Sequence, residues 1–196
     1  MTVVQSRSKI RSMIRKLLAL TASLMLSPCA SAKELIINGS FDQGDKTPTG
    51  WVGSEGARWE DGGKAGKCAV LGPAPKAEAW VTWKQEVKDF KPNTTYVFSA
   101  WVKADRPSYA QVVVEGVKPN KSGVSFFYMK ADTTWRLWVK QVVGETGSAP
   151  TVNLMLLNEG GPDTFYFDDV SLTVREEVNT EPVPVRQAPE IAEGRE

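Results

Sequence analysis

The apolar and polar positions divide this chain into a long central region of short alternating runs and two ends of a different kind. Strand-like runs lie near Ala57 to Glu60, Lys67 to Leu71, Ala79 to Val87, Thr94 to Lys103, Tyr109 to Glu115, Val124 to Met129, Trp135 to Val143, Thr151 to Leu157 and Thr164 to Val174. Side chains alternate across a strand, so a period of two over a short run marks a half-buried strand. No run carries a convincing helical period, and Gly and Pro punctuate the gaps. The pattern predicts an all-β chain folded as an antiparallel β-sandwich. The stretch from Asp42 to Lys67 is richer in Gly and charge and predicts long loops.

The last run, Thr164 to Val174, organises the rest. Its alternation puts Tyr166, Asp168, Val170, Leu172 and Val174 on one face, read as the core face, with Phe165, Phe167, Asp169, Ser171 and Thr173 on the other. Asp168 is thereby placed among apolar neighbours. An ionised carboxylate there costs several kcal/mol unless it is paired or well hydrogen-bonded. A metal ion is one partner, and backbone N–H groups in a turn are the alternative. Near the other end, Glu34-Leu-Ile-Ile-Asn-Gly-Ser-Phe-Asp42 is a short apolar strand running into an Asn-Gly turn, with Asp42 beyond it free to point at an ion. The first and last strands are expected to lie together.

Asn38-Gly-Ser-Phe-Asp42 and Phe167-Asp-Asp-Val-Ser-Leu172, with Phe90-Lys-Pro-Asn-Thr-Thr-Tyr-Val-Phe-Ser-Ala-Trp-Val-Lys103 between them, resemble secreted carbohydrate-binding modules of families 4, 9 and 22. The resemblance covers roughly Glu34 to Val174. It implies a jelly roll, which the strand number suits, and a structural calcium between the chain ends. It carries that calcium to Asp42 and Asp168, with backbone carbonyls near Asn38 or Gly66 completing the shell. Related modules often have Glu at the position of Asp42.

Strand parity sorts the aromatic residues. With Tyr96, Phe98, Ala100 and Val102 facing in, Trp101 faces out; with Val81, Trp83 and Val87 facing in, Trp80 faces out beside Lys84 and Glu86. Leu137 and Val139 read as core, which turns Trp138 outward beside Arg136 and Lys140, while Gln111 and Glu115 face out opposite Ala110, Val112 and Val114. Trp80, Trp101 and Trp138 with Gln111 and Glu115 suit a sugar-binding surface. One side of a pyranose carries weakly positive C–H groups that lie on an aromatic π face, and amides and charges take the hydroxyls. The bland alternative is that a bulge inverts parity and some of these rings belong to the core. Trp51 and Trp135 read as rings closing the ends of the sandwich, Trp59 as a ring that could line one end of a cleft, and Tyr128 as a weaker candidate of ambiguous parity.

The ends define where the chain works. Arg7, Lys9, Arg11, Arg15 and Lys16 precede the apolar run Leu17 to Leu26, and Ala30-Ser-Ala32 offers a cleavage site, so residues 1–32 read as a secretory signal peptide. Too few apolar residues precede Pro28 for a membrane span, which needs about 20. Cys29 raises a lipid anchor as an alternative, to which Pro28 is a poor fit. Cleavage after Ala32 leaves 164 of the 196 residues and removes five basic and no acidic residues, turning a formal charge of +1 into −4. That balance argues against nucleic acid or an anionic membrane as partner. Residues 33–175 form the module, and 176–196, with Pro182, Pro184, Pro189 and six glutamates, read as a disordered tail or a linker. Cys68, alone after cleavage, reads as a small buried core residue.

The chain has no histidine. That removes Ser-His and Cys-His nucleophile pairs and histidine-based zinc or copper sites. A glycosidase would need two carboxylates about 5 to 10 Å apart across a sugar, and Asp168 and Asp169, adjacent on one strand, point to opposite faces. The reading is a secreted or periplasmic, non-catalytic module that binds a polysaccharide or oligosaccharide and carries structural calcium. The alternatives are an exported β-sandwich that binds another protein or module in envelope assembly, and a glycoside hydrolase.

Overall fold

A computed structural model describes residues 32–76, 79–118 and 123–175. The segments read as a signal peptide and as a tail therefore fall outside the described residues, apart from Ala32. Among the described residues ten strands form in chain order: β1 (Val52–Gly53), β2 (Ala57–Asp61), β3 (Lys67–Leu71), β4 (Trp80–Val87), β5 (Thr94–Ala104), β6 (Ser108–Glu115), β7 (Val124–Ala131), β8 (Arg136–Gly144), β9 (Val152–Glu159) and β10 (Phe165–Val174). They pair antiparallel as two five-stranded sheets, β1-β4-β9-β6-β7 and β2-β3-β10-β5-β8. The fold is a jelly-roll β-sandwich, as the strand pattern and the resemblance imply. Nine of the strands start and end within two residues of the predicted runs. The tenth, β1, is too short to leave a period, and it lies in the stretch predicted as loop.

One core fills the space between the sheets, built from alternate residues of every long strand. β5 contributes Tyr96, Phe98, Ala100 and Val102, all fully buried. Facing them from the other sheet are Val112, Val114, Phe127, Met129, Leu154 and Leu156.

β10 departs from simple alternation. Asp168 pairs with Trp101 but Ser171 pairs with Ser99, so one extra residue sits in β10, and Asp169 takes φ 47° there. A bulge of this kind exchanges the two faces of a strand. Before it Phe165 and Phe167 point into the core, and after it Val170 and Leu172 do. This corrects the expected parity: Tyr166 and Asp168 lie on the outer face, not the core face. Asp168 is still fully buried, because the loop between β2 and β3 covers it.

β8 corrects a second expectation. Trp138 pairs with Ala100, whose side chain is in the core, so Trp138 faces inward and packs on the core cluster. Leu137, Val139 and Val143 face outward, each just over half exposed. β8 is a sheet edge, where backbone pairing with β5 sets the register and one face meets solvent whatever it carries.

The first and last segments do meet. Glu34 forms an isolated bridge to Thr173, the Leu35 amide donates to the Leu172 carbonyl at 3.0 Å, and the Val170 amide donates to the Gly39 carbonyl at 2.9 Å. Among the described residues no full strand precedes β1, and the Glu34 carboxylate accepts from the amides of Leu35, Ile36 and Leu172 beside this short pairing. Inside the sandwich, the buried Gln85 amide accepts from the Ile37 N–H at 2.7 Å and donates to its carbonyl at 2.8 Å, fastening this segment to β4.

Cys68 is buried, as expected, but on the outer side of β3 rather than in the main core. Burial pushes its thiol up to about 11, with the charge of Asp168 adding and that of Lys103 opposing. The thiolate is the reactive form. A thiol reagent at neutral pH should leave Cys68 untouched in the native protein and modify it on unfolding; rapid native labelling would show that the loop above it opens.

Candidate functional site

The outer face of the sheet β1-β4-β9-β6-β7 gathers the most aromatic surface. Parity turns Trp80, Thr82, Lys84 and Glu86 of β4 outward, with Asn153, Met155, Leu157 and Glu159 of β9, Tyr109, Gln111, Val113 and Glu115 of β6, and Phe126, Tyr128 and Lys130 of β7. The middle of this face is apolar: Val113, Met155 and Leu157 form a separate small cluster with Val124 at its margin. Exposed rings flank it, Trp80 on β4, Tyr109 on β6, and Phe126 and Tyr128 on β7, each half exposed or more.

Polar groups lie among the rings and are held in place. Gln111 is nearly buried, and its Nε2 donates to Glu159 Oε2 at 2.6 Å. Glu115 Oε2 accepts from Asn153 Nδ2 at 3.3 Å and lies 3.7 Å from Lys84 Nζ. Each pair leaves oxygens or N–H groups free toward solvent. A surface of ring planes beside fixed donors and acceptors can take the apolar side and the hydroxyls of a sugar together.

Of the predicted sugar-binding residues, the structure brings Trp80, Gln111 and Glu115 together on this face. Trp101 and Trp138 lie elsewhere, both lining a cavity of about 750 Å³ along the free edge of β8. The sequence reading passed over Tyr109 and Phe126. Tyr109 shares parity with Gln111 and was legible on that ground; Phe126 sits in the run Ser125-Phe-Phe-Tyr128, where either parity is apolar. Trp51 is buried, donating its indole N–H to the carbonyls of Ile37 and Asn38. Trp59 packs on the core and donates to the Phe41 carbonyl at 2.7 Å, so its ring supports the β2 edge rather than a cleft.

The two predicted calcium ligands grip one loop. Asp168 Oδ2 accepts from the amides of Lys64 at 2.7 Å and Ala65 at 3.2 Å, its Oδ1 from Asp169 at 2.8 Å, and Asp42 Oδ1 accepts from Lys67 at 3.2 Å. The carbonyls of Asn38 and Gly66 each accept two N–H bonds. Among the described residues no cluster of three or more Asp, Glu, His or Cys side chains stands ready for a metal, and no cation pairs with Asp168. Burial raises the Asp168 pKa and the backbone amides oppose that rise. Two carboxylates from distant segments reach the same loop, one of them buried without an ionic partner among the described residues, and oxygen donors of this kind suit a hard cation.

The comparisons agree with this architecture. No match is found among curated proteins. Among solved structures, a CBM4 structure is 22% identical, covering 71% of this chain and 99% of its own, with a TM-score of 0.54. Family 16 Carbohydrate Binding Module-2 is 23% identical over 71% of this chain and 99% of its own, also at 0.54. The CBM22-1 xylan-binding domain of Xyn10C from Paenibacillus barcinonensis is 15% identical over 73% and 95%, at 0.53. At these identities the likeness is one of fold. A family model described as a carbohydrate binding domain matches residues 33–135, which is more than half of the chain. The chain belongs to this family of carbohydrate-binding domains.

Proposed function

We propose that this protein is an exported, non-catalytic module that binds a β-linked polysaccharide on the outer face of the sheet β1-β4-β9-β6-β7. The observation that carries the reading is the ring of Trp80, Tyr109, Phe126 and Tyr128 around an apolar floor, with Gln111, Glu159 and Glu115 fixed among them. The neighbours supply the ligand class: one is a xylan-binding domain and another is in complex with β-1,4-galactotriose. A protein-docking surface would be a flatter apolar patch with fewer polar groups at its centre. The exposed Leu137, Val139 and Val143 are more apolar, but they lie on the opposite sheet, where Leu137 and Val139 line the cavity at the β8 edge. Calorimetric titration with xylan, β-glucan, mannan and galactan oligosaccharides tests the proposal. Saturable binding to one of them supports it, and silence from folded protein across the set turns the reading toward a protein-interaction domain.

Calcium is the second part of the proposal. A calcium ion at Asp42 and Asp168 would neutralise the buried carboxylate and add to the tie between the chain ends, in competition with the amides of Lys64, Ala65 and Lys67. Calcium in place of a chelator is expected to raise the melting temperature by several degrees, at roughly 2 to 4 °C for each kcal/mol in a domain of this size. The rise should vanish in Asp168→Asn. Identical melting curves with and without chelator would mean that the amides alone close this loop.

A further inference from the structure

Where the edge strands β7 and β8 of the two sheets run side by side, a cavity of about 750 Å³ opens, lined by Trp101, Trp135 and Trp138 with Arg136 and Asp132 among its polar groups. That volume lies within the roughly 300 to 1,000 Å³ of small-molecule sites. Its framework is fixed: the Trp138 indole donates to the Lys130 carbonyl at 2.9 Å, and Arg136 Nη2 donates to Asp132 Oδ2 at 2.9 Å.

The charge around these rings differs from that of the aromatic face. Lys64 Nζ lies 3.9 Å from the Trp101 ring centroid, and Lys103 Nζ lies 5.0 Å from that of Trp135 and 4.5 Å from that of Tyr166. Lys130 and Arg136 line the cavity itself, and Lys64 and Lys103 lie against the Trp101 and Trp135 rings that form its wall. Of the nearby carboxylates, Asp132 is paired with Arg136 and Asp168 is buried on backbone amides. The aromatic face of the other sheet instead carries Glu86, Glu115 and Glu159 beside Lys84, with Lys130 at its β7 edge.

From the indoles and their surrounding cations we infer that this edge cavity is a second saccharide site, selective for an anionic pyranose. The sugar ring lies against an indole, while its anion pairs with Lys103 and Arg136. The shared chemistry is a negative charge on a pyranose, supplied by a uronate carboxylate or a sulfate ester. The cavity adjoins the aromatic face at Lys130, but the three indoles lie on the other sheet from Trp80, so the two sites can be filled at once.

The test is a titration of the full chain with a galacturonic acid oligomer, a sulfated oligosaccharide and a neutral xylo-oligosaccharide, following the indole N–H resonances. An anionic probe is expected to shift the resonances of Trp101, Trp135 and Trp138. Lys103→Gln and Trp135→Ala should each weaken it by about tenfold, in the range of a buried interface residue. Raising salt from about 0.05 to about 0.5 M should weaken it further, and Trp80→Ala should leave it unchanged. Binding of the uronate alone names the carboxylate as the anion, and binding of the sulfated probe alone names the ester. The proposal is overturned if the neutral oligomer shifts the same resonances as strongly, if no probe shifts them, or if Trp80→Ala rather than Lys103→Gln abolishes anionic binding. Lys103→Gln removes charge from a partly exposed side chain, so it reads the site even where Trp135→Ala impairs folding. If no anionic probe shifts these resonances while neutral binding is still lost in Trp80→Ala, the aromatic face stands and this site alone fails.

Discussion

Trp80→Ala is expected to lower the affinity for the neutral glycan roughly 30-fold, the loss of about 2 kcal/mol typical of a central tryptophan in a contact surface. The ring is half exposed on β4 and, among the described residues, its indole makes no hydrogen bond, so its removal should leave the melting temperature nearly unchanged. That separates a binding effect from a folding effect. Tyr128→Ala and Tyr109→Ala should follow with smaller losses. Gln111→Ala should weaken binding as well, because it removes the amide and takes from Glu159 the donor that orients its carboxylate. Trp138→Ala gives the contrast: that ring is inward and supports the core, so it should cost stability and spare neutral-glycan affinity. If Trp80→Ala binds like the parent protein while Trp138→Ala does not, the binding surface is the edge and not the face.

The largest effect on stability is expected from Gly39→Ala. A Cβ at this position would stand 1.8 Å from the Val170 carbonyl oxygen and 2.9 Å from its carbon. Both are backbone atoms of β10, next to the bulge, and the Val170 amide already donates to the Gly39 carbonyl at 2.9 Å. Neither side can yield without parting the first segment from the last strand. Forced overpacking costs typically 1 to 3 kcal/mol, and a backbone collision belongs at the upper end. About 3 kcal/mol corresponds to a fall of roughly 10 °C in melting temperature. Gly62→Ala is the control. Nothing lies within 4 Å of its Cβ, and only its φ of +99° opposes a side chain, at about 1 kcal/mol. Equal melting temperatures for Gly39→Ala and the parent would mean that the Asn38-Gly39 turn is free to move away from β10.

Alternation sufficed to read the strands because most of them are half-buried. β4 and β5 show it directly: Tyr96, Phe98, Ala100 and Val102 form one inward set and Val81, Trp83 and Val87 the other, interrupted only by Gln85, and the outward set follows by parity. The exposure of Trp80, Gln111 and Glu115 on one face comes from that rule alone. It failed where a strand obeys something besides its own period. In β10 the extra residue between Asp168 and Ser171 reverses the faces midway, and both sets are apolar enough to hide the reversal. In β8 a tryptophan and two aliphatic residues competed for the core, and pairing with β5 chose the tryptophan. The burial of Asp168 was foreseen, yet what buries it, the loop carrying Lys64 and Ala65, is about a hundred residues away along the chain.

The sequence by itself determined the fold class, the limits of nearly all strands, the exclusion of histidine chemistry and three members of the aromatic face. Each of these depends on local period or composition, which a single chain displays without its partners. Only the tertiary structure decided which sheet holds which strand, and therefore that Trp80 and Trp101, both outward, look away from each other on opposite sides of the sandwich. Strand order and register come from pairings between distant segments, and a one-residue bulge or shift exchanges inside for outside with no local mark.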